Sequence, residues 1–159
     1  MDYTQILVNL RKIIRSVNLE SKRIEKEYGI SIPQLLCLRY LSEKSSFQAS
    51  HKEIKAFLQL NASTVTGIID RLERKGLVAR LPKQFDKRVG LVTITAKGAK
   101  ILENTPDPLH QQLSLKLRQL SQEELDVLQN AFDTIAKFLE IENVDAAPMI
   151  TGGAEIDNG

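Results

Sequence analysis

Two groups of polar side chains carry most of the chemistry that this sequence offers. The first group combines small side chains with guanidinium groups: Ser63, Thr64, Thr66, Gly67, Arg71 and Arg74. The second is the charged triplet Asp86, Lys87 and Arg88. Small side chains let a backbone approach another molecule, and guanidinium groups bind phosphate oxygens through charge-assisted hydrogen bonds. These residue types indicate binding to a phosphate-rich partner.

A helix must position the first group. Four apolar residues recur at i, i+3, i+4 and i+7 within it: Val65, Ile68, Ile69 and Leu72. This spacing predicts a helix over residues 61–75 with one buried stripe and an opposite polar face. Asn61 can cap its first turn, and Gly76 supplies the left-handed residue that ends a helix after basic residues. The small polar side chains then lie on its exposed face.

The second group is predicted to lie at the tip of a hairpin. Apolar and polar residues alternate from Leu77 to Pro82 and again from Val89 to Thr95, which indicates two strands around a basic turn. A polar-faced helix followed by a basic hairpin is the geometry of a winged helix. The helix would enter the major groove of DNA, and the hairpin would reach the neighbouring minor groove or backbone.

The distribution of charge agrees with a polyanionic partner. The net charge is only +2, but residues 50–100 contain 11 Lys and Arg against 4 Asp and Glu, a local net charge of +7. Residues 101–159 contain 3 and 11, a net charge of −8. Neutralising phosphates drives much of nucleic-acid affinity. Judged by charge alone, a solvated surface explains the same pattern equally well.

A second short helix precedes the first one. Ser50 and Glu53 form a capping-box pattern that predicts a helix through Leu60, and a tight turn then completes a helix-turn-helix. The second helix of such a pair reads bases. The remaining candidates for phosphate contacts are Ser50, His51, Lys52, Lys55 and Arg74, although a solvated surface position explains His51 as well.

The flanking segments are predicted to be helical arms. Residues 2–28 carry an apolar stripe along a helix of roughly 39 Å, too long for one small core, so part of it is expected to pack on another subunit. A further helix starts at Thr95 and breaks near Pro106 and Pro108. Helical pattern resumes at Leu109, and residues 143–159 are expected to form a loosely ordered tail.

Composition excludes several classes of protein. A single cysteine, Cys37, rules out an internal disulfide and a thiolate zinc cluster, and no segment has the pattern of a signal peptide or a membrane span. We therefore expect a cytoplasmic protein without metal or cofactor. Two distant histidines and no glycine-rich phosphate loop give no support for an enzyme, so no catalytic residues are assigned.

Residues 2–142 resemble the MarR family of winged-helix transcriptional regulators. The resemblance is carried by STVTGIIDRLERKGLVAR, by Asp86-Lys87-Arg88 and by LVTITAKG, in this order. It implies a mainly α fold with a small β-hairpin wing, in which a winged helix-turn-helix lobe (31–100) joins helical dimerisation arms (2–28 and 109–142) in a single domain, 1–142.

The resemblance also implies a function and roles for residues. A homodimer would bind a pseudo-palindromic operator in double-stranded DNA, as a repressor. Arg88 would read the minor groove or backbone, with Lys87 beside it and Asp86 as its positioning partner. The residues facing the major groove would be Ser63, Thr64, Thr66, Gly67 and Arg71.

Regulation remains open at this point. Family members commonly release DNA when a small molecule binds between arms and lobes, and the candidate polar contacts here are Tyr28, Arg39, Tyr40 and His110. Packing or surface positions explain these four residues as well. Other interpretations are a thiol-based redox regulator acting through Cys37 and a winged-helix module that binds protein instead of DNA.

Overall fold

The computed structural model describes residues 1–82 and 90–144. The helices are α1 (Thr4–Tyr28), α2 (Ile32–Glu43), α3 (His51–Leu58), α4 (Ala62–Arg74), α5 (Ala96–Asn104), α6 (Leu109–Leu117) and α7 (Gln122–Phe138). The strands are β1 (Gln48–Ser50), β2 (Val78–Arg80) and β3 (Leu91–Ile94). This mainly helical fold with a small antiparallel sheet confirms the predicted fold class. No helix in the described part is long and apolar enough to cross a membrane.

Side-chain caps begin most of the described helices, and those at Ser50, Asn61 and Thr95 lie at the predicted residues. Ser31, Ser50 and Ser121 each form a complete capping box with the Gln or Glu three residues later. Asn61 and Thr95 accept hydrogen bonds from backbone N–H groups in the first turns of α4 and α5. These bonds satisfy donors that a helix leaves without intrahelical partners, so the starts of the helices follow from local sequence.

One strand, β1, lies in a segment for which the sequence analysis predicted no strand. Residues Gln48–Ser50 form β1, an edge strand of a sheet with the order β1-β3-β2. Gln48 pairs with Thr93, and Val78 pairs with Ile94 on the other side of β3. A three-residue strand is too short to show alternation, and its hydrogen bonds depend on a partner more than 40 residues away.

The described chain divides into two compact units, with the boundary between Pro106 and Asp107. The core of the first unit is built on α2, whose Leu35, Leu38 and Leu41 are fully buried. The apolar stripe of α4 completes it together with Leu77 and Val78. At Gly98 in α5 the backbone approaches so closely that a Cβ atom would overlap the carbonyl oxygen of Leu77. Helix α5 therefore packs directly on the chain segment that follows α4.

The second unit contains α6 and α7. The break after Asn104 lies where the two prolines predict it, and a new helix begins at Leu109. That helix ends at Leu117, and Leu120 lies in the turn before α7. In the described chain no residue of α6 or α7 is fully buried.

Candidate nucleic-acid interface

The exposed face of α4 begins at its cap. The Oδ1 atom of Asn61 accepts hydrogen bonds from the backbone N–H of Thr64 and from the hydroxyl of Ser63, both at 2.8 Å. Ser63 is exposed and Thr64 is half-buried. The N-terminal end of α4 thus carries small, pre-oriented polar groups, and the positive end of the helix dipole lies at the same place.

Thr66 is tied to the start of α3. Its hydroxyl donates to the carbonyl oxygen of Ala62 at 2.9 Å, and His51 Nε2 lies 2.9 Å from the hydroxyl oxygen of Thr66. Because the hydroxyl proton is directed to Ala62, His51 Nε2 must be the donor in this pair. Thr66 and His51 therefore bind each other, although the sequence analysis assigned Thr66 to the major groove and His51 to a phosphate contact. This contact joins the start of α3 to the exposed face of α4.

Gly67 leaves room for an arginine on the exposed face. A Cβ atom at Gly67 would lie 3.3 Å from Nη1 of Arg71, one helical turn further on. The guanidinium of Arg71 therefore lies back along α4 toward its N-terminal half. A larger side chain at Gly67 would displace it.

The residues predicted to contact phosphate differ in their hydrogen bonds and in their exposure. The Ser50 hydroxyl caps α3 by accepting from Glu53 N at 3.1 Å, and Glu53 also pairs with Lys44 at 2.9 Å. The Lys44 ammonium and the Ser50 N–H together lower the pKa of Glu53. Three cationic side chains of the predicted set are exposed on α3 and α4: Lys52, Lys55 and Arg74. These three are the better placed to meet a polyanion.

Two lysines hold the C-terminal end of α4. The Lys75 ammonium donates to the carbonyl oxygen of Gly29 at 2.5 Å and to Gln34 Oε1 at 3.2 Å. Lys97, in the first turn of α5, donates to the carbonyl oxygen of Lys75 at 2.9 Å. Helix α4 is therefore tied to the junction of α1 and α2 and to the start of α5. The sequence analysis missed both lysines, since neither contact is local.

The base of the hairpin is well defined by hydrogen bonds. β2 and β3 pair with Arg80 opposite Val92, and Leu81 N donates to the carbonyl oxygen of Leu91 at 2.8 Å. The predicted tip residues Asp86, Lys87 and Arg88 lie outside the described residues. Their roles therefore stay predictions.

Arg80 links the hairpin to α4 and was also missed. Its Nη2 lies 2.6 Å from Asp70 Oδ1, its Nη1 lies 2.8 Å from Glu73 Oε1, and its backbone N–H donates to Glu73 Oε2 at 3.2 Å. The hydrogen bond to Asp70, followed by that to Glu73, raises the pKa of the guanidinium. The sequence did contain a signal for this contact. Arg80 follows the helix-ending Gly76 by four positions, and the helix before that glycine carries two acids, Asp70 and Glu73.

The residues proposed for an effector site divide between the two units. Tyr28 and Tyr40 are half-buried against the core of the first unit, and Tyr40 stacks on Phe57 with ring centroids 4.4 Å apart. Arg39 is half-buried on α2, whereas His110 is exposed on α6 in the second unit. An effector site formed by these residues stays a prediction.

Cys37 lies in the core of the lobe and is fully buried. Burial raises the pKa of its thiol to about 12, so the reactive thiolate is scarce at neutral pH. This environment is typical of a structural cysteine and weighs against the redox interpretation.

Comparison with known proteins relates this geometry to characterised folds. Residues 30–89 match the model of the MarR family. The multiple antibiotic resistance protein MarR of Escherichia coli is 33% identical over 119 residues, covering 70% of this chain and 81% of that protein. A crystal structure of mutant MarR from E. coli with operator DNA shares 28% identity at a TM-score of 0.51, covering 85% of this chain and 99% of that one. Sco3205 of Streptomyces coelicolor, solved in complex with DNA, has the same fold with a TM-score of 0.61 and 21% identity, covering 88% of this chain and 90% of that one.

Proposed function

The chain belongs to the MarR family of transcriptional regulators, and from this premise we propose that it is a homodimeric repressor of a pseudo-palindromic operator in double-stranded DNA. The observation that carries the proposal is α4. Its apolar stripe is buried in the lobe, its small polar N-terminal end is exposed, and its C-terminal half is bound to the hairpin through Arg80. The structures of relatives with DNA support the same partner.

Within this proposal the exposed side chains have distinct roles. Ser63 and Arg71 contact base edges or phosphates in the major groove, with Thr64 and Gly67 allowing the helix to approach closely. Thr66 acts through its bond to His51 and so orients α4. Lys52, Lys55 and Arg74 neutralise phosphates, while Arg88 with Asp86 and Lys87 forms the contact of the wing.

The proposed dimer rests on exposed apolar side chains at the ends of the chain. The N-terminal part of α1 exposes Ile6, Leu7, Ile13 and Ile14, and α7 exposes Val127, Phe132 and Phe138. Monomeric proteins seldom leave so many large apolar residues in water. A second copy that covers these faces explains them, and a two-fold dimer presents two copies of α4 to two half-sites.

A small-molecule effector is the proposed means of release. An effector shifts the protein away from DNA only if it binds the DNA-incompetent state more tightly. A tenfold loss of DNA affinity requires about 1.4 kcal/mol of this difference. Titrating candidate aromatic compounds into the protein–DNA complex tests this part of the proposal.

The primary test is binding to the DNA immediately upstream of the protein's own gene, at stated salt, with a shuffled fragment of equal length as competitor. Selective binding by a dimer supports the proposal. Equal binding to both fragments, with strong salt dependence, indicates a general DNA binder. Absence of binding to any DNA favours the alternative of a winged-helix module that binds protein.

Two variants test the roles of the contact residues. Arg88→Ala should weaken operator binding by about 1–3 kcal/mol, the usual range for a groove contact. Lys52→Ala should weaken binding to all sequences alike and reduce the slope of log K against log salt by about one unit. Unchanged operator affinity in Arg88→Ala would contradict the wing assignment.

A further inference from the structure

One arginine joins the hairpin to α4 through three hydrogen bonds. Arg80 lies on β2, and the two carboxylates that it binds, Asp70 and Glu73, lie on the C-terminal half of α4. Both terminal nitrogens of the guanidinium are used, at 2.6 and 2.8 Å, and the backbone N–H of the same residue provides a third bond to Glu73. Two points on the helix thus hold both the side chain and the main chain of the strand.

This arrangement suits orientation better than stability. The three side chains keep 41–43% of their surface exposed, and ion pairs this exposed contribute little to the free energy of folding. A planar guanidinium that reaches two separate acceptors nevertheless defines a direction as well as a distance. The angle between β2 and α4 is therefore restrained.

Arg80 is poorly suited to be a phosphate contact itself. A phosphate would have to compete with two carboxylates at 2.6 and 2.8 Å, and the three charges together sum to −1. Removing one acid should strengthen binding to any DNA if electrostatics alone matter, because repulsion is reduced. Removing it should weaken operator binding if the acid serves to hold the hairpin.

We propose that Arg80 is a positioning residue, which with Asp70 and Glu73 holds the hairpin at one angle to α4 so that the two DNA-contacting elements meet the operator as a unit. This inference rests on the proposed function. Its effect is on specificity: pre-organised elements bind the operator without a further ordering cost, whereas general phosphate attraction does not need the angle.

Reduced repulsion should raise the affinity for DNA and loss of positioning should lower it, so variants that remove one acid distinguish the two effects. Asp70→Asn and Glu73→Gln each raise the net charge by one and should lower operator affinity about tenfold, while affinity for the shuffled fragment rises or stays equal. Glu103→Gln is the matched control, since it makes the same charge change at an exposed position on α5. Tighter binding to both fragments in all three variants would overturn the proposal.

Arg80→Lys separates positioning from charge. The single ammonium keeps the charge but cannot reproduce the two-pronged geometry, so operator affinity should fall with the salt slope unchanged. In Arg80→Ala, which removes the charge, a slope reduced by about one unit with equal losses on both fragments would identify Arg80 as a phosphate contact and refute the positioning role. Thermal unfolding of each variant verifies that it is folded.

A measurement without DNA distinguishes a failure of this inference from a failure of the proposed function. Spin labels at Ser63→Cys and Pro82→Cys, in a Cys37→Ala background, report the distance between α4 and the hairpin. The distance distribution should broaden in Asp70→Asn and Arg80→Lys and stay narrow in Glu103→Gln. Equal widths in all variants would refute the positioning role, whereas absence of selective DNA binding by the wild type would refute only the proposed function.

Discussion

Helices α4 and α7 have the same local design and opposite environments. Both are amphipathic, and both begin with a side-chain cap, Asn61 for α4 and Ser121 for α7. The apolar stripe of α4 is between 0 and 2% exposed, whereas Leu128 and Phe132, one helical turn apart on α7, are 39% and 58% exposed. An apolar stripe therefore predicts a helix, but it does not tell which surface covers the stripe.

The difference assigns different energetic roles to the two stripes. Burial of α4 within its own lobe stabilises the fold that presents the exposed polar face. The stripe of α7 is left for another surface, which in our proposal is the second subunit. The following predictions test this distinction, from the largest expected effect to the smallest.

Leu72→Ala should destabilise the lobe strongly, because Leu72 is fully buried in the stripe of α4. Replacing a buried leucine removes transfer free energy and leaves a cavity, at a cost of about 2–5 kcal/mol in the free energy of unfolding. Urea denaturation followed by circular dichroism measures the loss. A change below about 1 kcal/mol would show that the stripe is not a rigidly packed core element.

Phe132→Ala should act on association instead of folding. Phe132 is 58% exposed in the single chain, so truncation costs the lobe little. If a second subunit covers it, dimer affinity should fall by about 2 kcal/mol, roughly thirtyfold, as for a central interface residue. Sedimentation velocity over a dilution series measures this, and Phe57→Ala, an exposed aromatic on α3, is the control. Equal dimer affinity for Phe132→Ala and wild type would contradict the proposed role of α7.

The dependence of stability on alkaline pH should show whether water reaches the buried thiol of Cys37. Cys37 belongs to the core of the lobe, and burial raises its pKa from 9.0 to about 12. Between these values the folded chain keeps a proton that the unfolded chain loses, so stability falls as pH rises, by at most about 1.4 kcal/mol per pH unit for this group. Urea midpoints at pH 8 and pH 10 should therefore differ more for wild type than for Cys37→Ala. Parallel changes would mean that water reaches the thiol.

The caps offer the smallest and most closely matched comparison. Asn61→Ala and Ser121→Ala should each cost about 1 kcal/mol of helix stability, because each leaves a backbone N–H in the first turn without its acceptor. Hydrogen exchange should detect the loss at α7 as local fraying and at α4 as a loss shared by the whole lobe. Local fraying in both variants would show that α4 is as independent of its surroundings as α7.

Much of the fold could be predicted because its signals are local. Capping pairs such as Ser31 with Gln34 lie three residues apart, and the break before Leu109 follows from the two prolines. Strand β1 could not be predicted, because its hydrogen bonds join Gln48–Ser50 to Leu91–Thr93, and three residues hold no periodicity.

The candidate site was predictable in its composition but not in its connections. The sequence indicated that Thr66 and His51 belong near the nucleic acid, yet not that they bind each other across 15 residues. It placed Arg80 in a strand without showing its two acidic partners. The sequence shows which side chains can form hydrogen bonds, and the packing of α3, α4 and β2 decides which of them bind each other.

The sequence by itself determined where most helices begin, which faces are apolar and where the basic charge lies, because periodicity and capping depend on residues within about one helical turn. The tertiary structure alone decided that the stripe of α4 is buried while that of α7 is exposed, that a third strand completes the sheet, and that Arg80 connects helix and hairpin. These features depend on contacts between residues distant in the chain, which form only when the lobe closes around its core.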